Sequence, residues 1–413
     1  MHKKGISVIT AFVLAFALQA VQAQSVHSGS VVEPRGYKNH IPSEVKPDIV
    51  IRSPARKISQ IVGEDDRQQR RPAENVTFSR FRLQSTDLGV PFRYAGRTYL
   101  LFGDTNGDQR KDGDAIAYST DTLLEDGLSL TFIHDARGTY QPITIPGISQ
   151  GAFEVPTEGV EEKGKMYLYS TTDHSDSVAM GRSIVSCSED SGYTFRYLYD
   201  LSTAHFINVS IAEVPFAEQE WLPEDTGRAL LIFGSGTYRK SDVYLACQPA
   251  AAIENRNAIQ YFGGMDENNQ PIWLQDEQQA VPLFEQPCVG ELSVSYNPYI
   301  ARWILLYNCQ NQINIRTAIH PWGPWTAPQV LFDPWKDNGY CHFMHVSYQE
   351  RHCDSLMDAG RENESGGVYG PYQFPHFATG DSTNAHPFTT LYFTMSIWNP
   401  YTVVLMKAKL ARK

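Results

Sequence analysis

Basic runs, clustered cysteines and long apolar stretches are scarce in this 413-residue chain, and each scarcity excludes something. Lys and Arg number 35 against 46 Asp and Glu, for a formal net charge of -11, and no basic run is long enough to track a phosphate backbone. Nucleic acid and anionic lipid are therefore excluded as expected partners, and a neutral ligand fits the charge better. The six cysteines form no CxxC pair, which argues against a zinc cluster. Walker and Rossmann patterns are absent, and no serine nucleophile is assigned. Beyond the N-terminus no stretch is long and apolar enough to span a bilayer. At the N-terminus itself Lys3 and Lys4 precede an apolar run from Ile6 to Ala20. Val21 and Ala23 then supply the small-residue positions before a cleavage point. Residues 1–23 read as a signal peptide, so the mature protein is expected to be secreted or periplasmic.

What is abundant points to strands. Aromatic residues make up 12% of the chain, with 30 Gly and 24 Pro, a composition of short strands and tight turns. Residues 24–75 are polar, carry "GEDDRQQRRP", and read as a flexible leader. From residue 76 to 413 a weak repeat emerges. Strand-like cores begin at Arg97, Lys165, Ala229, Arg302 and Thr389, and a second short strand follows each one. The first, second and fourth are preceded by an apolar segment carrying an acid: "TDLGVPF", "FEVPTEG" and "GELSVSY". Five such units predict an all-β, five-bladed β-propeller, with a β-sandwich as the rival. "SRFRLQ" near residue 80 is the expected closing strand beside the last blade. The six cysteines permit disulfides in an exported chain, with Cys341 and Cys353 as the expected local pair. "SEDSGYTF", Ser188 to Phe195, resembles the Asp-box turn of sialidases and other propellers, in which Asp190 has a structural role.

In a propeller the inner strands converge on a channel, so acids at their starts meet in space. That geometry suits a glycosidic bond held between carboxylates. The candidates are Asp87, Asp104, Glu154, Glu158, Glu213 and Glu291. Glu291 is the least easily dismissed, because Glu is depleted in strands and here opens an otherwise apolar one. Asp87 is expected to be the general base, Glu291 the general acid, and Asp104 a group that orients substrate or tunes a neighbour. Asp104, Asn106, Asp108 and Asp112 also sit at calcium-loop spacings, but Gln109 and Ala115 replace the required Gly and Glu. A structural Ca2+ is thus a secondary reading, no metal ligand is assigned, and no cofactor is required. Glu154, Tyr372 and Trp398 are expected to contact sugar, with His345 hydrogen-bonding a hydroxyl. Trp398 also reads as ordinary core.

At "TDLGVPF…YLLFGDT", "VGELSVSYN…RWILLYN", "GPW" and "SIWNPYTVVLM" the chain resembles a family of exported bacterial proteins. That family was long catalogued as a domain of unknown function, and it includes endo-D-arabinanases. The resemblance implies a five-bladed propeller and carboxylate-driven hydrolysis of the D-arabinan of arabinogalactan and lipoarabinomannan. It carries Asp87, Asp104 and Glu291 over as site residues and implies a poly- or oligosaccharide partner. An inverting mechanism is expected, which needs roughly 6.5–9.5 Å between acid and base. The alternatives are a non-catalytic carbohydrate-binding propeller and a propeller glycosidase such as a sialidase. The sialidase reading needs a clamp drawn from Arg93, Arg182, Arg239 and Arg316.

Overall fold

The computed structural model describes residues 42–108, 111–224, 226–356 and 358–413. The signal-peptide segment, 1–23, lies outside them. The described chain is all-β apart from short helical turns, and it folds as a five-bladed β-propeller whose sheets are antiparallel throughout. Blade one runs from its inner strand Leu83–Tyr94 through Arg97–Gly107 and Gly113–Ser119 to Thr131–Phe132. Blade two orders Pro156–Glu162, Lys165–Thr172, Arg182–Ser188 and Arg196–Ser202 in the same way. Blade three begins with Asn208–Pro215, Arg228–Ser235 and Ser241–Pro249 and adds further outer strands. Blade four is Leu292–Asn297, Arg302–Cys309, Gln312–Ala318 and Gln329–Phe332. In blade five, Gly367–Gln373, Phe388–Trp398 and Thr402–Arg412 are covered by a strand from the other end of the chain, Ile49–Gln60.

Each inner strand packs against the inner strand of the next blade, and the fifth packs against the first, so the ring closes. The second strands are the repeat cores read from the sequence. Flanked by sheets on both faces, they lose the alternation of a half-exposed strand: all eight residues of Arg302–Cys309 are buried. Tight turns join them to the inner strands. Ala95–Gly96 and Lys163–Gly164 both have positive φ at the two central positions, the twist that hairpin turns require. Between blades three and four the core holds three fully buried tryptophans, Trp303, Trp322 and Trp325.

Two expectations are corrected. The closing strand is Ile49–Gln60, paired with Thr402–Arg412, and lies inside the segment read as a flexible leader. "SRFRLQ" instead contributes to a short helix, Thr77–Phe81, and to the start of the first inner strand. The outermost strand of a blade buries one face only. Ile49–Gln60 therefore mixes Ile and Val with Arg52, Arg56, Lys57, Ser and Gln, and that mixed composition inside a polar segment hid it. Lys57 is nonetheless buried and pairs with buried Asp66 at 2.7 Å. Two disulfides are present: Cys341–Cys353, as expected, and Cys288–Cys309, while Cys187 and Cys247 are free and buried.

Candidate active site

Asp87 enters the channel from the first half of its inner strand. Directly after it Leu88 and Gly89 take positive φ, 66° and 78°, and the register shifts. A bulky Leu in that region is strained, and such strain collects where a backbone is bent for function. The bend is held by Leu88 N, which donates to Ser396 Oγ at 2.8 Å. Asp104 lies within the paired second strand, one residue past Gly103, which is opposite Asp87. It too has positive φ, and its Oδ1 accepts from Phe153 N at 3.0 Å. Glu291 stands just before the inner strand of blade four and is buried.

The three carboxylates act on one another. Burial, then the charge of Asp104, pushes the Asp87 carboxyl well above the usual carboxylate range, and Glu291 adds to the rise. The hydroxyls of Tyr401 and Tyr369 work against that shift, and Tyr369 Oη donates to Asp87 Oδ2 at 2.9 Å. Burial raises Asp104 to about 6, opposed by the Phe153 N–H. Glu291 differs: Arg239 Nη2 donates to its Oε1 at 3.0 Å, and the guanidinium compensates its charge. The same guanidinium lies over the rings of Tyr238, at 4.7 Å, and Tyr369, at 5.0 Å. Arg239 thus touches both Glu291 and the tyrosine that holds Asp87. Glu291 Oε2 and Asp87 Oδ1 are buried with no hydrogen-bond partner among the described residues. Two oxygens left in this state invite a substrate hydroxyl or water.

The remaining candidates separate. Tyr372 is buried on the fifth inner strand, its hydroxyl without a hydrogen-bond partner among the described residues and close enough to feel Glu291 and Asp87. Trp398 is 47% exposed, which corrects its reading as core. It meets Tyr401 edge-on at 5.7 Å, beside Asp87, and carries the Arg361 guanidinium on its face at 3.7 Å. Glu154 is buried and accepts from Ser149 Oγ and His174 N, so it shapes the loop beside Asp104 instead of facing substrate. His345 is not at the channel at all. It is fully buried, with Nδ1 2.6 Å from Asp354 Oδ1 behind the Cys341–Cys353 loop. Glu158 is tied to Gly159 N and Ile211 N, and Glu213 to Arg228.

The sialidase clamp is not assembled. Of the four arginines only Arg239 reaches the acids. Arg316 is buried among Glu44, Gln286 and Thr326, Arg182 pairs with Asp173 and Asp200, and Arg93 binds Gly96 O and Thr98 at the opposite mouth. Among the described residues Asp104, Asp108 and Asp112 do not converge as a metal-binding group. The one such grouping includes Cys341 and Cys353, which are joined in a disulfide. Gly147–Gly151 reads GISQG, the spacing of a serine-nucleophile elbow. It lies in a loop without the required strand and helix, and Ser149 donates to Glu154.

Sequence reasoning gave Tyr369 no role and weighed Arg239 only as a sialidase clamp. A signal existed. Residues in the last part of the second strand or just past it gather at this mouth: Asp104 in "FGDT", His174 in "STTDH" and Tyr238–Arg239 in "FGSGTYR". Phe153, His174 and Tyr238 form one aromatic wall there, with centroids 5.0 and 5.6 Å apart.

Fold and site together define a five-bladed propeller with buried carboxylates gathered at one mouth of its channel. The chain belongs to the family described as Domain of unknown function (DUF4185), which it matches over residues 72–407. No curated protein sequence matches it. Among solved structures it is similar to a GH43_1 enzyme from Xanthomonas citri, at 12% identity and TM-score 0.39 over 79% of this chain and 87% of that one. It is also similar to a GH43 endo-arabinanase from Bacillus licheniformis, at 13% identity and TM-score 0.37 over 77% and 91%. A third is the catalytic domain of a Coprinopsis cinerea GH62 alpha-L-arabinofuranosidase, at 11% identity and TM-score 0.39 over 87% and 97%. Likenesses at this level carry no argument about residues or substrate.

Proposed function

We propose that the protein is an exported glycoside hydrolase that cuts a neutral furanoside polymer, D-arabinan of the mycobacterial type, from within. The observation that carries the reading is the cluster of Asp87, Asp104 and Glu291, in which burial and the charge of Asp104 favour the protonated form of Asp87 while Arg239 pairs with Glu291. Glycoside hydrolysis needs one protonated and one ionised carboxyl across the scissile bond. These electrostatics favour the reverse of the roles read from sequence. Asp87 protonates the leaving oxygen and Glu291 activates the water, with Asp104 raising its neighbour's proton affinity. Substrate specificity rests on the sequence resemblance quoted above. Export rests on the N-terminal segment.

The test is release of oligosaccharides from mycobacterial arabinogalactan by the full chain, beside Asp87→Asn and Glu291→Gln. The wild type is expected to release products, and each variant to lose about 10²–10⁴-fold while remaining folded, the range for a positioned acid or base. NMR of the first-formed product is expected to show an inverted anomeric centre. A wild type that binds but never cuts arabinogalactan or other furanosides would leave a non-catalytic binding propeller as the better reading.

A further inference from the structure

Neither proton transfer at the acid cluster involves Tyr372. It sits on the inner strand of blade five, Gly367–Gln373, and is 2% exposed. Two residues before it Gly370 takes φ +57°, and a Cβ there would stand 3.1 Å from Tyr372 Cε2, 3.2 Å from Ser396 Oγ and 3.7 Å from Leu88 Cδ2. The hydroxyl end of the ring is therefore set beside the Leu88–Ser396 bend that follows Asp87. Gly370 N also donates to Asn308 Oδ1 at 3.4 Å, and Asn308 N donates to Glu291 O at 3.3 Å. One glycine thus ties Tyr372 to both acids. Packing agrees: Tyr372 shares a buried cluster with Leu88 and Tyr369, against which Tyr238 and Tyr401 pack.

Burial, then the charges of Glu291 and Asp87, push the Tyr372 hydroxyl well above its ordinary value, so it keeps its proton and remains a donor. It has no hydrogen-bond partner among the described residues, and neither has Asp87 Oδ1 nor Glu291 Oε2. Tyr369 differs, because its hydroxyl is engaged by Asp87 Oδ2. A buried hydroxyl without a partner is rare in a folded protein. One beside two carboxylate oxygens in the same state calls for a small polar guest common to them. Water fits, since it can accept from a phenol and donate to a carboxylate.

We propose that Tyr372 is a further catalytic residue, whose O–H holds the attacking water for Glu291. The inference rests on the reading of the protein as a glycoside hydrolase. The phenol donates to one lone pair of the water oxygen and leaves the other for the anomeric carbon, which fixes the direction of attack. As the new carbon–oxygen bond forms, a proton passes from the water to Glu291 Oε2. The glycosidic bond breaks, its electron pair goes to the leaving oxygen, and the Asp87 proton joins it there. Tyr372 keeps its own proton throughout. Solvent then returns a proton to Asp87 and takes one from Glu291.

The experiment is steady-state hydrolysis of mycobacterial arabinogalactan by the full chain, wild type beside Tyr372→Phe and Tyr369→Phe, with unfolding midpoints for all three. Tyr372→Phe is expected to lower kcat about 10–100-fold with KM within about twofold of wild type. Its unfolding midpoint is expected to equal or exceed that of wild type, since the lost hydroxyl had no protein partner. Tyr369→Phe breaks a protein hydrogen bond and is expected to lower the midpoint. A Tyr372→Phe enzyme as fast as wild type overturns the proposal and leaves the hydrolase reading standing. A rise in KM at unchanged kcat also overturns it, and makes Tyr372 a substrate contact. A fall in kcat with a midpoint lowered as in Tyr369→Phe makes the hydroxyl structural, which overturns it again. A wild type that cuts neither arabinogalactan nor other furanosides removes the hydrolase reading, and the role of Tyr372 with it.

Discussion

Arg239 is the residue whose removal separates the roles at the site, because it touches Glu291 directly and Asp87 only through Tyr369. Arg239→Ala leaves Glu291 buried without its hydrogen-bonding counter-charge. Turnover of arabinogalactan is then expected to fall by about 10-fold or more, with Arg239→Lys partly restoring it. Steady-state rates of the two variants check this, and an Arg239→Ala enzyme as fast as wild type would contradict the pairing. Asp104 gives a prediction about stability. Its folded-state value of about 6 lies above the ordinary 3.8, so the folded protein binds that proton more tightly than the unfolded chain does. The cost to folding is absent below pH ~3.8, grows as pH rises toward ~6, and is complete above that. Asp104→Asn keeps an acceptor for Phe153 N and removes the charge. It should stabilise the protein by about 1–2 kcal/mol at pH 8, with no gain at pH 4, in urea titrations at both.

At the scale of elements, the turn Ser188 to Phe195 shows what a motif can determine. Asp190 accepts from Tyr193 N, Thr194 N, Thr194 Oγ1 and Ser188 Oγ, Gly192 takes φ +94°, and Phe195 is buried. Those hydrogen bonds draw the Asp190 carboxyl below its ordinary value against the effect of burial. Asp190→Ala should cost about 1–3 kcal/mol by denaturant midpoint and leave the acid cluster unaffected. The turn was legible because its contacts span only seven residues. The Cys288–Cys309 bridge was not. It joins the last strand of blade three to the second strand of blade four, 21 residues on, and spacing alone could not choose it from the fifteen pairings that six cysteines allow. Replacing both cysteines by serine should cost about 3 kcal/mol.

For the whole molecule, the Ile49–Gln60 strand closes the ring by covering the edge of Thr402–Arg412. Deleting residues 42–60 uncovers the backbone groups of that edge and the apolar side chains packed beneath, including Leu405 and Leu410. An uncovered flat edge recruits other chains. The truncated protein is expected to aggregate or to lose cooperative unfolding, which light scattering and calorimetry would register. A monomeric, cooperatively unfolding truncation would show that blade five stands without its closing strand.

The five repeats, the hairpin turns, the Asp-box and the acids on the inner strands were legible in the sequence because each depends on local period or local turn chemistry. Apolar cores recur in register, and an acid interrupting an apolar strand stands out against them. The tertiary structure alone decided which strand closes the ring, because an outer strand with one buried face looks polar. It also placed Tyr369 and Arg239 with the acids, moved His345 away from them and set Trp398 at the rim. Those outcomes depend on which residues meet across blades far apart in sequence, as Tyr369 and Asp87 do at a separation of 282 positions, and no local pattern records such a meeting.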